Sequence, residues 1–548
     1  MLCVAPTNPD DDYAISYFLS GAIPNMGLSL FVNAVLSRVV FAFNQLVPSV
    51  NWFFFFEYFS AFLATWAFSY AVLTYVPLGT GLAATGFAVC FVLPLCIASS
   101  NFTVVAGLCS AVGMMLLIIR LYSDETSKGI GYVGALLFAL GMMWRFTMFL
   151  AALPFGLIAV ICWVIHITRD GTSRAIVAEK TRPLFAALIL CTIFYTSDCI
   201  AWQQPDWKQW LDYNTPRSAV VDFPMPTYAE AKDYLTSINV SENDYTMLTT
   251  WAGADTDVFP LEKIKEVASL KRTPAKSPQQ ILSAFIAFLM SAGNRIPCYI
   301  PILICLALLL IHCKRNALPM AITVVLAMCM CTYFALVNRL LDRVEAPVWC
   351  YVLCSCLAIS AKSRNTKQEP SRHRFASGVV GISLGAITLA VCTASCLAAQ
   401  LPSMNPPRLS YVFHQDEYAP SGVIANYIES HKDTYYLLSV DQYTLLEREY
   451  NQLYIPSKSI AQRVIPLGGW SIDAPFRHYQ ASLLGQTNVV APLLAKGNPV
   501  ELIAPEDVAK RVAVFLREHY DASASYELVD KLYDDGSASV WRFTSKTI

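Results

Sequence analysis

The sequence has few charged residues for its length. Charged side chains make up 14% of its 548 residues and hydrophobic ones 55%, whereas soluble domains usually carry about 25% charged residues. A charge is costly in the hydrocarbon core of a bilayer, so this deficit is typical of lipid-buried helices. The formal net charge of −1 provides no overall positive field, and the composition therefore gives no indication of a nucleic-acid partner.

The two long polar regions lack cysteine, and the chain lacks several common ligand-binding motifs. None of the 17 cysteines falls in residues 201–277 or 401–548, so these regions would fold without disulfides if they are exported. No two CxxC pairs stand at zinc-binding spacing, and no glycine-rich phosphate loop follows a predicted strand. These absences disfavour a zinc-ribbon domain and a P-loop nucleotide site.

Long apolar runs are abundant instead. Each has roughly the 20 residues that a helix needs to cross the hydrocarbon core, and together they predict about ten membrane spans. The predicted spans are residues 52–75, 79–99, 102–121, 131–147, 148–167, 183–201, 281–313, 317–337, 346–361 and 376–399.

Basic residues cluster in three short loops, which predicts the orientation of the spans. By the span count all three loops fall on one side, and the positive-inside rule makes that side cytoplasmic. The N-terminal acidic loop, residues 201–277 and the C-terminal region then lie outside. Residues 2–5 fit the last turn of a span, so we expect a further helix to precede them. The basic residues are Arg169, Arg174, Lys180 and Arg182; His312, Lys314 and Arg315; and Lys362, Arg364, Lys367, Arg372 and Arg374.

The predicted fold is mainly α, with a polytopic helical membrane domain and a small C-terminal domain of α/β or α+β type. Residues 1–51 form an outer acidic loop and an amphipathic segment. Residues 52–400 form the multi-span domain with an external loop at 201–277, and residues 401–548 form an extracytoplasmic soluble domain.

Within the non-spanning regions, periodicity predicts individual elements. Residues 28–47 carry charge and amide groups at near-helical spacing, which indicates an interfacial helix, or alternatively an ordinary span tolerating one arginine. The external loop contains three tryptophans that we interpret as interfacial anchors or, less simply, as sugar-stacking residues. The predicted elements are helices at 227–235, 421–431 and 507–520 and strands at 245–251, 434–440 and 538–544; the tryptophans are Trp202, Trp207 and Trp210.

Three adjacent carboxylates, Asp10, Asp11 and Asp12, follow Pro9 just before the first spans. An outer carboxylate can serve as a general base, and neighbouring acids raise one another's pKa. Such a cluster also suits a divalent cation such as Mg²⁺ or Mn²⁺. A solvated acidic turn is the alternative, since aspartates are common in loops.

The layout resembles that of the GT-C glycosyltransferases, and the run Asn8-Pro9-Asp10-Asp11-Asp12-Tyr13, with Gly21 and Asn51-Trp52 after it, looks like the opening of bacterial members. The layout matches over most of the chain, and the motif over about the first fifty residues. The resemblance implies a polyprenyl-phosphate sugar donor and a loop acid that is catalytic base or metal ligand. That role falls on Asp11 or Asp12, and less readily on Asp10.

A lipid-phosphate donor needs cations near the outer interface, where arginine can bind phosphate oxygens in pairs. Arg145 lies where two spans meet, and Arg339 and Arg343 lie four positions apart in a short outer loop. Asp342 and Glu345 beside them offer local ion pairs as the alternative. Other candidates are Arg38, which can snorkel to the interface, Glu57 at the outer end of a span, and a group in the tail formed by Arg463, Trp470, Asp473, Arg477 and His478.

Together these features predict an integral, multi-pass plasma-membrane enzyme of the bacterial envelope. It would pass a sugar from a polyprenyl-phosphate donor to an envelope glycan or glycolipid at the outer leaflet. Two alternatives are a transporter of lipid-linked glycans and a non-catalytic assembly scaffold. A transporter is disfavoured because the spans contain little charge and show no matching halves broken by glycine or proline.

Overall fold

The structure is a computed structural model that covers most of the chain. It describes residues 11–23, 27–93, 101–123, 127–253, 255–272, 277–292, 302, 303, 306, 307, 309, 317–337, 339–361, 422–448, 457–486, 488–495, 497 and 500–546. Asp10, the predicted span at 376–399 and the basic loops at 312–315 and 362–374 lie outside the described residues.

The described part of the N-terminal two-thirds of the chain is mainly helical, as the apolar runs predict. The helices up to the external loop are α1 (Asp11–Leu19), α2 (Ala34–Leu46), α3 (Trp52–Tyr75), α4 (Leu78–Phe87, extended by a π-helical turn at Ala88–Val92), α5 (Phe102–Tyr122), α6 (Lys128–Trp144), α7 (Phe146–Asp170) and α8 (Arg174–Ala201). Residues 28–33 do not join α2, because Asn33 caps the helix by accepting a hydrogen bond from the Val35 amide.

Four described helices, α5, α7, α8 and one further on at Ala317–Leu336, are long and apolar enough to cross a membrane. The first of these, α5, is the centre of the bundle, and every residue from Phe102 to Leu121 is buried. Small residues bring it against α6: a Cβ on Gly134 would lie 2.9 Å from the Gly113 carbonyl oxygen. Such small-residue contacts let helix backbones approach closely where lipid provides no hydrophobic drive.

The external loop folds as a helical subdomain. Its helices are α9 (Pro205–Asp222), α10 (Tyr228–Ser237), α11 (Glu242–Thr249) and α12 (Leu261–Ser269). The predicted helix at 227–235 is confirmed, whereas the predicted strand at 245–251 is wrong. Ser241 and Asp244 form a capping box at the start of α11, and this helix-initiating pair overrides the β-favouring Tyr and Thr residues that follow.

The remaining membrane-domain helices are α13 (Pro278–Ala292), α14 (Ala317–Leu336) and α15 (Asp342–Ile359), and the C-terminal region forms a mixed α/β domain. Its elements are α16 (Val423–Ser430), β1 (Tyr435–Leu438), α17 (Val440–Arg448), α18 (Lys458–Arg463), β2 (Val464–Pro466), α19 (Pro475–Leu483), β3 (Val500–Ala504), α20 (Glu506–His519), β4 (Ser525–Lys531) and β5 (Ser539–Thr544). The sheet order is β2-β1-β3-β5-β4, with β1 parallel to β2 and β3 and with β5 antiparallel to β3 and β4.

The N-terminal segment, the external loop and the C-terminal domain meet at one end of the bundle. The Gln209 side chain donates to Asp473 at 3.1 Å, and the Asn243 amide donates to the Arg511 carbonyl at 3.1 Å. The opposite end of α5 carries Arg120, which pairs with Glu179 beside the basic loop at 169–182. The three segments that the span count assigns to one side therefore lie together. That this side is extracytoplasmic stays a prediction.

Candidate active site

A cavity of about 410 Å³ opens where these three segments meet the ends of the membrane helices. Its walls combine charged and aromatic side chains with the backbone of one tight turn. The lining residues are Asp11, Ala14, Phe18, Phe31, Arg145, Arg217, Asp222, Trp251, Arg339, Arg343, Val440, Tyr443, Thr444, Pro466, Gly468, Gly469, Trp470 and Ser471. Five residues singled out from the sequence thus line the same cavity: Asp11, Arg145, Arg339, Arg343 and Trp470.

Asp11 is the first residue of α1 and faces this cavity. Its Oδ1 accepts a hydrogen bond from the Trp470 indole at 2.9 Å, and its Oδ2 lies 4.0 Å from Arg343 Nη1. Burial raises the pKa of Asp11, while Arg145 and the Trp470 hydrogen bond oppose that shift. A carboxylate with a raised pKa that still reaches an open cavity is suited to accept a proton.

Asp12 points away from the cavity, because successive residues of a helix differ in direction by about 100°. Its side chain is fully buried, and Oδ1 accepts a hydrogen bond from the Phe102 amide at 2.7 Å. Together with Asn101, which accepts from the Thr103 amide at 2.9 Å, it caps the N-terminus of α5. The structure therefore places Asp12 as a link between α1 and the central helix.

The buried Asp12 carboxyl predicts a pH dependence of stability. Burial raises its pKa well above the ordinary value of 3.8, and the nearby Glu57 carboxylate raises it further. Such a group stabilises the folded state most when protonated, and the contribution is lost as pH rises through the folded pKa. We expect Tm to fall as pH rises from about 4, the ordinary range of an aspartate carboxyl, and Asp12→Asn to make that fall smaller.

The measurement is thermal unfolding in detergent as a function of pH. The asparagine of Asp12→Asn would still accept the Phe102 amide, so the substitution changes the charge and keeps the cap. Asp233→Asn, at an exposed position on α10, serves as the matched control and should keep the wild-type slope. If the curves of Tm against pH are parallel for wild type and Asp12→Asn, the Asp12 carboxyl has the same pKa in the folded and unfolded states.

The other two weaker candidates also lie away from the cavity. Glu57 is fully buried in α3 beside Asp12, and among the described residues no hydrogen-bond partner is recorded for either of its carboxylate oxygens. Arg38 is exposed on α2. Neither residue belongs to the lining of the cavity.

Arg145 stands in extended conformation, with φ −158°, between α6 and α7. Its Nη1 donates to Thr103 Oγ1 at 2.6 Å, and its guanidinium carbon lies 5.5 and 5.1 Å from the ring centroids of Phe31 and Phe102. Phe31 has a φ of 69°, which is uncommon for a residue with a side chain and is found most often at functional sites. These contacts fix the guanidinium at the cavity wall.

The outer-loop arginines reach the cavity in different ways. Arg343 is in the first turn of α15, whereas Arg339 precedes that helix and forms an ion pair with Asp222 at 3.3 Å. They therefore do not share a helix face, although they lie four positions apart in the sequence. The recorded ion pairs of Arg339 and Arg343 are with Asp222 and Asp11, from two other segments of the chain.

The external loop adds Arg217, Asp222 and Trp251, which the sequence did not single out. Arg217 is buried, donates from Nε to Asn214 Oδ1 at 2.9 Å and lies 5.2 Å from the Trp251 ring. Burial lowers the pKa of Arg217 to about 10. The length of the 201–277 connection was the one available signal, because a simple link between spans is shorter.

Burial of two of the three tryptophans of the external loop disfavours their prediction as membrane anchors. Trp207 and Trp210 are 4% and 3% exposed, and they pack with Trp202 against the N-terminal and C-terminal segments. In the tail, Trp470 lines the cavity. Arg463 is buried and donates to the carbonyls of Ile428 and His431, Arg477 is buried in α19, and Asp473 accepts from His478.

No protein-family model matches the chain, and no curated protein matches it. Among solved structures, the chain is similar to two crystal structures of ArnT from Cupriavidus metallidurans, one in the apo state and one bound to undecaprenyl phosphate. The sequence identities are 13% and 14%, and the TM-score is 0.41 for both. Each alignment covers 98% of this chain and 94% of that chain.

Proposed function

We propose that this chain is a membrane glycosyltransferase that transfers a sugar from a polyprenyl-phosphate donor to an envelope glycan or glycolipid. The supporting observation is one cavity in which a carboxylate, Asp11, faces four arginines where the membrane helices meet the outer segments. A phosphate-linked donor needs cations at the leaving group, and the acceptor hydroxyl needs a base. The cavity offers both beside an apolar bundle suited to a polyprenyl chain.

Charge supports an anionic substrate. Among the described lining residues, Arg145, Arg217, Arg339 and Arg343 face only two carboxylates, Asp11 and Asp222, so four positive charges meet two negative ones. The surplus of two suits a phosphate group, whose oxygens accept bonds from guanidinium in pairs.

The proposed transfer uses these groups in one displacement. An acceptor hydroxyl gives its proton to Asp11 as its oxygen bonds to the anomeric carbon of the sugar. The bond between that carbon and the phosphate oxygen breaks, and the electron pair stays with the polyprenyl phosphate. Arg145, Arg339 and Arg343 stabilise the charge on the departing phosphate, which is the type of electrostatic contribution that enzymes use most.

A divalent cation does not fit the described lining residues well. Asp11 lies 4.0 Å from Arg343, and Asp222 lies 3.3 Å from Arg339, so both carboxylates already face guanidinium groups. In the part of the chain that the structure describes, Asp244, Glu518 and His519 form the group with ligand atoms at metal-binding separations. These three residues are not among the lining residues of the cavity. Stabilisation of the departing phosphate is therefore assigned to the arginines.

The same geometry supports a proposed location at the outer face of the membrane. The proposed site belongs to the end of the bundle that carries the external loop and the C-terminal domain, and the positive-inside rule assigns that end to the outside. The protein would act at the outer leaflet of the bacterial plasma membrane. Its C-terminal domain would then stand on the side where an envelope acceptor arrives.

The proposal is tested with reconstituted protein and a panel of labelled polyprenyl-phosphate sugars. We expect release or transfer of the sugar from one of them, and Arg145→Gln to lower kcat/KM about 100-fold, as expected for a lost charged hydrogen bond. The matched control is Arg511→Gln, since Arg511 pairs with Asp507 on the surface of α20. It should stay within twofold of the wild type.

Equal losses in the two variants would remove the special role of Arg145. Folded wild-type protein that turns over no donor would contradict the glycosyltransferase. Movement of an intact donor across the vesicle membrane would then favour the transporter, and neither transfer nor movement would favour a scaffold.

A further inference from the structure

A turn of the C-terminal domain, Gly468-Gly469-Trp470, is inserted between the external loop and α1. A Cβ on Gly468 would collide with the Trp251 carbonyl oxygen, so only glycine fits at that position. Gly469 has a φ of +89°, which glycine adopts without steric cost. The turn is thereby held at a fixed depth in the cavity wall.

Contacts to its backbone and to its ring hold Trp470 in place. The Trp210 indole donates to the Trp470 carbonyl at 2.8 Å. The Phe18 and Phe31 rings meet the Trp470 ring edge-on, with centroids 5.5 and 5.9 Å away. Edge-to-face pairs of this kind stabilise by about 0.5–1.5 kcal/mol beyond their buried area.

The one polar atom of this ring, Nε1, donates to Asp11 Oδ1 at 2.9 Å. An indole nitrogen only donates, so it cannot take a proton from the carboxylate. Its bond therefore occupies one oxygen of Asp11 and leaves Oδ2 as the acceptor for a substrate hydroxyl. The contact thus reaches the N-terminal segment from the C-terminal domain.

We infer that Trp470 is a positioning residue for the base Asp11, and that the C-terminal domain completes the active site by supplying it. This inference rests on the proposed function. It assigns the domain a part in the chemistry that is separate from any contact with the acceptor.

Several charged groups also bear on Asp11 and set the background for its titration. They come from the α6–α7 junction, from α9 and from the start of α15. The groups are Arg145, Arg217, Asp222, Arg339 and Arg343, together with Asp12 next to it in α1. Trp470 differs from these charged groups because its side chain is neutral. Its replacement therefore changes one hydrogen bond and leaves the charges of the cavity intact.

The test is the pH profile of kcat/KM for Trp470→Phe in the reconstituted full chain. A hydrogen bond to the ionised form lowers a carboxyl pKa, so its removal should move the acid limb upward by about one pH unit. Activity should fall about tenfold on the acid side and recover at high pH. Phenylalanine keeps an aromatic ring, so its packing against Phe18 and Phe31 is largely preserved.

Trp202→Phe is the matched control. The Trp202 side chain hydrogen-bonds to the carboxylate of Asp198, which does not line the cavity. This substitution removes the same kind of bond elsewhere, and the acid limb should stay in place. If the acid limb of the pH profile also stays in place in active Trp470→Phe protein, the inference is overturned. The proposed function would still stand.

A double-mutant cycle on thermal unfolding adds a readout that needs no turnover. The effects of Trp470→Phe and Asp11→Ala should be non-additive, because each substitution removes the one bond that the two residues share. Additive effects would overturn the inference. Wild-type protein without any turnover would overturn both the proposed function and the role of Trp470 in it.

Discussion

Asp11→Asn is expected to reduce sugar transfer by about 10³-fold while the protein remains folded. General-base catalysis typically contributes 10²–10⁴-fold, and asparagine keeps the size of the side chain but cannot accept the proton. The asparagine oxygen can still accept the Trp470 hydrogen bond, so the contact between α1 and the C-terminal domain is preserved. The measurement is kcat with a saturating labelled donor.

Measuring Asp12→Asn in the same assay distinguishes the role of Asp12 from that of Asp11. Because Asp12 caps α5 and does not line the cavity, its replacement should change activity far less than that of Asp11. Asp233→Asn, on the exposed face of α10, controls for loss of an outer negative charge. Full activity in Asp11→Asn would move the base elsewhere, and equal losses in both aspartate variants would indicate a structural effect of the loop.

The acid limb of the wild-type profile gives a second measure of Asp11. Burial raises the pKa of this carboxyl, so the fraction able to accept a proton declines at a higher pH than for an exposed aspartate. Activity should therefore fall as pH decreases through that raised value. The residual activity of Asp11→Asn should no longer show this fall with decreasing pH.

Gly134→Leu is expected to destabilise the helix bundle by roughly 3 kcal/mol or more, because overpacking a tight contact forces backbones apart. A Cβ at this position would lie 2.9 Å from both the Gly113 carbonyl oxygen and the Leu116 Cβ. These atoms belong to α5, which is buried along its whole length. Thermal unfolding in detergent should show a much lower Tm.

The same substitution should also reduce activity in whatever protein remains folded. Helix α6 ends at Trp144 and delivers Arg145 to the cavity, so displacement of α6 moves this arginine. Gly129→Ala is the control, since a Cβ there meets only Ser127 Oγ, at 3.5 Å. Its Tm should equal or slightly exceed that of the wild type. A Gly134→Leu protein of normal stability would show that α5 and α6 are not tightly packed.

Local patterns in the sequence determined much of the fold. Apolar runs gave the helices, because length and hydropathy are properties of a continuous segment. The helix of 227–235 was found from its own residues. The strand assigned to 245–251 failed because Tyr and Thr were given more weight than Ser241 and Asp244, although these form a visible capping pair.

The sequence by itself also identified Asp11, Arg145, Arg339 and Arg343 as chemically suggestive residues at the outer ends of helices. It did not distinguish Asp11 from Asp12, because the direction of each side chain depends on the phase of α1 against α5. Nor did it place Arg217 or Trp470 with them. Trp470 and Asp11 are 459 positions apart, and no periodicity links segments that far apart. Only the tertiary structure brings them together, because the contact depends on how three separate outer segments pack.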